Sequence, residues 1–332
     1  METFLFSGIP LDENALLESC AANARDYNAT MTLRMSSPTS TVADVRREIE
    51  VTVAAGETGS ACDILALASG LSKQRIKDAM NKGAVWQVPA QGAARRLRRA
   101  TARVVAGDHL KLYYDPELLQ RACAEPELLM DCARYSLWYK PPGLLTQGTH
   151  YGDHCALLRR VEQWAQPRRG AWLVHRLDRE AAGLILVAHD RGAAAALSAL
   201  FQGRGIEKVY AVEVRGALDA PGVSRRIDLP LDGDNAVTVC QVLAYDADRD
   251  VTCLQVQLIT GRKHQIRRHL AAVDHPVMGD WRYGTAGGEL QLVATALRFS
   301  CPLSGAARDF DLRCLKPAAA SLYPCLLLQS AP

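Results

Sequence analysis

The chain has 332 residues, 48% of them hydrophobic and 23% charged, with a formal net charge of +3. That length suits one sizeable domain plus a smaller one, and the apolar content excludes wholesale disorder. Overall charge names no partner, but the basic residues gather in one early segment. The ten cysteines stand without a single Cys-x-x-Cys pair, which reads as reduced, mostly buried thiols of an intracellular protein and argues against structural zinc. The start, METFLFSGIPLDENALLE, lacks the basic region and long apolar core of a secretory signal and the Arg-rich, acid-poor character of a transit peptide. No apolar run approaches membrane-spanning length, so a soluble, cytoplasmic protein is expected.

In chain order, residues 1–58 are a lead-in with no assigned role. Its polar SSPTSTVADV stretch reads as a loop, and Ile49–Val53 alternates as a strand does. Residues 59–118 form a compact basic module. ACDILALAS has helical apolar spacing, and Ser72 caps a second helix that Gly83 stops. AVWQVP then reads as a strand, ARRLRRATARVV follows, and GDHLKLYYD is a Gly-Asp turn leading into an alternating strand. Residues 119–133 are a linker or short helix. From 134 to 328 the runs YSLWYK, GLILVAHD, KVYAVEVRG, VTCLQVQLIT and QLVATALRFS read as strands set among helices, giving an α+β domain and excluding an all-helical one.

The chemistry concentrates in WLVHRLDREAAGLILVA, residues 172–188. Charged residues between two apolar runs belong on a loop held by buried strands, a common place for catalytic groups. Alone, an Arg-Leu-Asp-Arg string is ordinarily a surface ion-pair loop. It is accompanied by RYSLWYKPPG at 134–143, the strand Lys208–Ala211, TGRKHQIRRH at 260–269 and HPVMGDWRYG at 275–284. Phosphate-binding glycine loops and the Gly-x-Ser-x-Gly turn are missing, which removes support for ATPase, dinucleotide and serine-hydrolase readings.

Together these segments, and above all HRLDRE-x-x-G-LILVA, closely resemble the RluA-type family of RNA pseudouridine synthases. The resemblance implies that Asp178 is the essential catalytic residue, that Tyr210 is the active-site tyrosine, and that Arg262 pairs with Asp178. It implies that Ile266 packs against the target base, with further substrate contacts from His175, Arg176, Arg179, Gln265 and Arg267. The sequence departs from the family pattern at Ala181-Ala182, where Thr-Ser is usual, so loop-ordering hydroxyls are lost.

The basic module resembles an S4 RNA-binding domain, with Ser72, Lys73, Arg75, Ile76 and Lys77 at the helix start and turns at Gly83-Ala84-Val85 and Gly107-Asp108. That likeness implies phosphate contacts from Lys73, Arg75, Lys77, Arg95, Arg96, Arg98 and Arg99. The implied fold is a mixed, largely antiparallel sheet, the pseudouridine synthase fold, preceded by a small S4-like α/β domain.

The implied activity is isomerisation of a uridine in structured RNA, with Asp178 either attacking C1′ or removing the C2′ proton. No cofactor and no metal are expected. Large-subunit ribosomal RNA is the first expected target, transfer RNA the alternative, and the protein is expected to be a monomer. A catalytically weak RNA-binding or assembly factor on the same fold is the rival reading. A metal-dependent RNA hydrolase using histidines is a second rival. His150 and His154 flank a probable loop glycine, however, and His264 and His269 are off helical ligand spacing.

Overall fold

The structure, a computed structural model, describes residues 45–56, 59–165, 169–203, 205–285 and 287–319, together with Tyr323, Cys325 and Leu328. The lead-in before Val45, with most of its SSPTSTVADV stretch, lies outside the described residues.

Two helices, α1 (Ala61–Ser69) and α2 (Lys73–Asn81), pack on a small antiparallel sheet. Both start at serines. The Ser60 hydroxyl accepts the Asp63 amide in a reciprocal capping box, and Ser72 accepts the Arg75 amide at 3.3 Å. The sheet runs β1 (Arg47–Thr52), β4 (His109–Tyr114), β2 (Val85–Val88), β3 (Arg95–Arg96). The alternation of HLKLYY sends Leu110, Leu112 and Tyr114 inward to meet Leu65, Ile76 and Met80. The strand anticipated near residue 50 pairs along its length with β4, so the module begins by Arg47 rather than at residue 59.

After α3 (Pro116–Gln120) the chain enters a ten-stranded sheet. Its strands are β5 (Glu127–Asp131), β6 (Tyr135–Lys140), β7 (Trp172–Leu173), β8 (Ala182–Ala188), β9 (Ile206–Arg215), β10 (Ser224–Asp228), β11 (Val237–Asp246), β12 (Val251–Leu258), β13 (Leu292–Ser300) and β14 (Ala307–Asp311). The order is β10-β11-β12-β9-β13-β8-β6-β5, with β7 on β8 and β14 on β13. Every pairing is antiparallel except β8 with β13, so the sheet is mixed and largely antiparallel as expected. The segment 119–133 is not simply a linker, because β5 pairs with β6 inside the sheet.

Strand β8 explains its own unbroken apolar sequence. Leu184 and Leu186 enter one core and Ile185 and Val187 the other, so both faces are covered. The helices α4 (Leu157–Trp164), α5 (Arg191–Gln202), α6 (Gln265–Ala272) and α7 (Leu312–Leu315) complete this domain.

The two domains meet at the loop 146–155. Asp153, nearly buried, takes Arg96 Nε at 3.1 Å and Arg98 Nη2 at 2.5 Å. Trp86 donates its indole N–H to the His150 carbonyl at 3.1 Å, and Arg96 lies over the Trp86 ring. Arg96 and Arg98, expected as RNA contacts, are thus engaged between the two domains through Asp153. Lys73 pairs with Asp63, Arg95 bonds Gln87, and Arg75, Lys77, Arg95 and Arg99 remain exposed on the small domain. A disulfide joins Cys123 to Cys155, which overturns the reading of these two as reduced thiols.

Gly183 lies where β8 runs close against β13. Its φ is +113°, and a Cβ there would sit 2.2 Å from the Ala294 carbonyl oxygen on β13. Backbone cannot yield as a flexible side chain does, so Gly183→Ala is expected to destabilise the protein by ~2–4 kcal/mol in denaturant unfolding. A loss under about 0.5 kcal/mol, within the range of an ordinary surface change, would contradict this account of the β8–β13 seam.

Candidate active site

Asp178 lies on the loop between β7 and β8, and Tyr210 lies on β9, with β13 between β8 and β9. The sheet order thus brings together two residues 32 positions apart in sequence. The loop is pinned on both sides of Asp178. The Thr146 hydroxyl donates to the Leu177 carbonyl at 2.7 Å and accepts the Leu177 amide at 3.2 Å. On the other side the Arg179 carbonyl accepts from the Gly143 amide at 2.8 Å and from the Lys140 ammonium at 3.1 Å. Lys140 is fully buried and also donates to the carbonyls of Pro141 and Leu144. Burial pulls its ammonium down to about 7, against the opposing charges of Asp178 and Glu180.

The cation facing Asp178 is Arg267, not Arg262. Arg267 Nη1 stands 3.4 Å from Asp178 Oδ2 and 3.7 Å from Glu180 Oε2. Its Nε and Nη2 grip Asp280 at 2.7 and 2.8 Å, a two-pronged contact that fixes the guanidinium plane. Burial opposes the charge of Arg267, but the bond to Asp280 and the charges of Asp280, Asp178 and Glu180 outweigh it and hold its pKa above the ordinary value. Arg262 is exposed in the turn before α6, pairs with Asp234 at 3.0 Å and bonds the Asn235 carbonyl. The expected Arg262–Asp178 pair is therefore corrected: α6 turns residue 267 inward, whereas residue 262 precedes the helix and faces out.

His264 completes the surroundings of Asp178, with Nε2 3.7 Å from Oδ1 and Nδ1 2.8 Å from the Tyr283 hydroxyl. It sits at the start of α6 with φ +54°, a left-handed conformation uncommon for a side-chain-bearing residue. Burial lowers its pKa, although Asp178 pulls the other way. Tyr210 is buried, and desolvation followed by the charge of Asp178 pushes its phenol well above the ordinary range.

Of the residues expected at the substrate, Gln265 and His175 are tied into the framework of the fold. Gln265 is buried with both amide ends satisfied. Its oxygen accepts from the Thr260 hydroxyl and the Arg262 amide, and its nitrogen donates to Val237 O and Thr238 Oγ1. His175 accepts the Leu186 amide at 3.0 Å and stacks on Phe201 at 4.1 Å. Desolvation, then the charge of Lys208, drops its pKa to about 3. Ile266 lies within the apolar cluster of Leu177 and Tyr210, beneath the site. Arg179 pairs with Glu180 at 2.9 Å. Arg176 is exposed beside the loop and bonds no described residue. Ala181 and Ala182, where two hydroxyls were missed, are packed in the core, while Thr146, Lys140 and Gly143 order the loop.

An open cavity of about 310 Å³ adjoins this loop, between Arg121–Ala124, Pro142–Gly143 and Arg179–Glu180. Among the described residues no three His, Cys, Asp or Glu side chains gather as metal ligands. His269 bonds the Leu229 carbonyl, and His150 lies between Trp86 and Tyr113.

A family model described as RNA pseudouridylate synthase matches residues 134–272, which span every group around Asp178 except Asp280 and Tyr283. The dual-specificity RNA pseudouridine synthase RluA of Vibrio parahaemolyticus is 31% identical over 198 residues, covering 53% of this chain and 78% of that protein. The chain belongs to the RNA pseudouridine synthase family. An uncharacterized RNA pseudouridine synthase of Aquifex aeolicus is 36% identical over 141 residues, 39% of this chain and 45% of the relative. Matches to two such proteins of Helicobacter pylori span 66% and 58% of their lengths, so the chain corresponds to about half to two thirds of these relatives. Human RNA pseudouridylate synthase domain containing 1 superposes with a TM-score of 0.50 at 21% identity, covering 62% of this chain and 90% of that one, which places the fold.

The low pKa of His175 has a readable consequence. Unfolded, the imidazole titrates near 6.5; folded, near 3. Between those values the unfolded chain binds a proton that the folded chain does not, so stability falls as pH falls, by about 1.4 kcal/mol per pH unit for this group. His175→Gln is expected to make stability less steep by close to one proton between about pH 6 and pH 4 in denaturant titrations. An unchanged slope would show that His175 is not held neutral.

Proposed function

We propose that this protein is an RNA pseudouridine synthase in which Asp178 carries the chemistry. The supporting observation is one arrangement: a carboxylate on a loop pinned at both flanks, backed by the buried Arg267, beside the buried Tyr210. Family membership supports the same reading.

The reaction breaks the bond from uracil N1 to ribose C1′, turns the base and joins C5 to C1′. C5 loses a proton and N1 gains one, so the net change is an isomerisation that needs no redox partner or acceptor. Asp178 acts either as the nucleophile at C1′ or as the base at C2′. In both routes Arg267 fixes the carboxylate and offsets its charge as it changes. Tyr210 lines the base pocket, and its phenol, protonated at neutral pH, would accept the C5 proton only through deprotonation or a neighbouring group. Leu177 and Ile266 form the apolar floor that limits water, which would otherwise divert the separated sugar and base to hydrolysis. The uridine must leave its stack to reach Asp178.

The exposed Arg75, Lys77, Arg95 and Arg99 of the small domain supply general attraction for RNA phosphates, in keeping with its S4-like sequence pattern. Ribosomal RNA is the proposed target, with transfer RNA as the alternative. The test is incubation of purified protein with unmodified ribosomal and transfer RNA transcripts, followed by nucleoside chromatography. The native protein is expected to form pseudouridine in at least one transcript without shortening it. Asp178→Asn is expected to lower that rate by at least about 10³-fold while RNA binding persists. Full activity of Asp178→Asn would remove Asp178 from the mechanism.

A further inference from the structure

The turn 280–283 is tied to the active site at both ends. Asp280 grips Arg267 and accepts the amides of Arg282 and Tyr283, at 3.0 and 3.1 Å. Tyr283 bonds His264, which faces Asp178. Between these anchors stands Trp281, with 54% of its surface exposed. Most exposed apolar residues of a folded protein need no explanation, but an indole this large, on a turn this firmly held, is a costly group to leave in water. Two exposed cations flank its anchors in sequence: Arg282 on the same turn, whose guanidinium lies 5.7 Å from the centre of the Tyr283 ring, and Lys263 just ahead of His264.

We propose that Trp281 is a stacking platform for an unpaired nucleobase of the RNA, one that flanks the uridine presented to Asp178. This rests on the reading of the protein as an RNA-modifying enzyme. The indole face accepts any base, and the two cations suit the phosphates on either side of it, so the subsite holds the strand without choosing its sequence. The fixed turn sets the spacing between the stacked base and the reacting one. Trp281 is in this sense a positioning residue: it touches the strand beside the reacting nucleotide, not the bond that breaks.

The test is fluorescence anisotropy with a dye-labelled RNA hairpin carrying uridines in its loop, and with the same hairpin made abasic at the loop positions. Trp281→Ala is expected to bind the intact hairpin about 5- to 150-fold more weakly, and Trp281→Phe to recover most of that loss. On the abasic hairpin Trp281→Ala should cost nothing further, and the salt dependence of binding should keep its slope, because stacking releases no counterions. Binding of Trp281→Ala within twofold of native, or an equal loss on the abasic hairpin, would overturn the proposal. The assay needs no turnover. A protein that forms no pseudouridine yet loses affinity as described would keep the platform and discard the isomerase.

Discussion

Arg267 is the hinge of this structure in the energetic sense. Its side chain is 2% exposed and joins Asp178 and Glu180 on one side to Asp280 on the other. A buried guanidinium carries a desolvation cost of several kcal/mol, which only well-formed partners offset. Asp280, itself fully buried, provides the stronger contact. Burial raises the Asp280 carboxyl, but the Arg267 bond and the amides of Tyr283 and Arg282 hold it below its ordinary value. Removing one member of such a set typically costs ~3–5 kcal/mol, because the others are left charged and unpaired. This coupling means that the orientation of α6, the turn after it and the position of Asp178 are settled together.

The longer contact to Asp178 then makes chemical sense. At 3.4 Å, against 2.7 and 2.8 Å to Asp280, the arginine is committed to Asp280 and leaves the Asp178 carboxylate only partly engaged. The proposed reaction requires a carboxylate that is not fully consumed by its own counter-ion. Further rigidity comes from the backbone on either side of it, through Thr146 on Leu177 and through Lys140 and Gly143 on Arg179. Lys140 is the last residue of β6, and Gly143 and Thr146 lie in the segment that follows it, so the core strand itself carries the loop.

Much of this was legible in the sequence for physical reasons. The continuous apolar run of β8, the alternation of β4 and the serine caps of α1 and α2 are local signals, and each element formed where they pointed. The Asp178 loop was visible as a charged cluster between two apolar runs, but it was the family resemblance that singled out its aspartate. What failed was the division of labour within basic or polar strings. GRKHQIRRH offers four cations, and which one turns inward depends on where α6 begins, at Gln265. His175 and Gln265 look functional in a string, but their bonds to Leu186, Val237 and Thr238 hold the framework. The pairing of Arg96 and Arg98, read as phosphate contacts, was invisible because Asp153, their partner, lies more than fifty residues away. The Cys123–Cys155 bridge spans 32 residues and has no local signature at all.

The most direct measurement compares single-turnover rates of pseudouridine formation for Arg267→Lys and Arg262→Lys at saturating RNA, with thermal unfolding verifying that each variant is folded at the assay temperature. Lysine keeps the charge but not the two-pronged geometry. If Arg267 sets Asp178, Arg267→Lys should lose about 100-fold or more, the scale of a 1 Å displacement of a catalytic group, and Arg262→Lys less than about tenfold. The reverse order, with Arg262→Lys the crippled variant, would contradict the assignment of Arg267 and return the role to the exposed arginine.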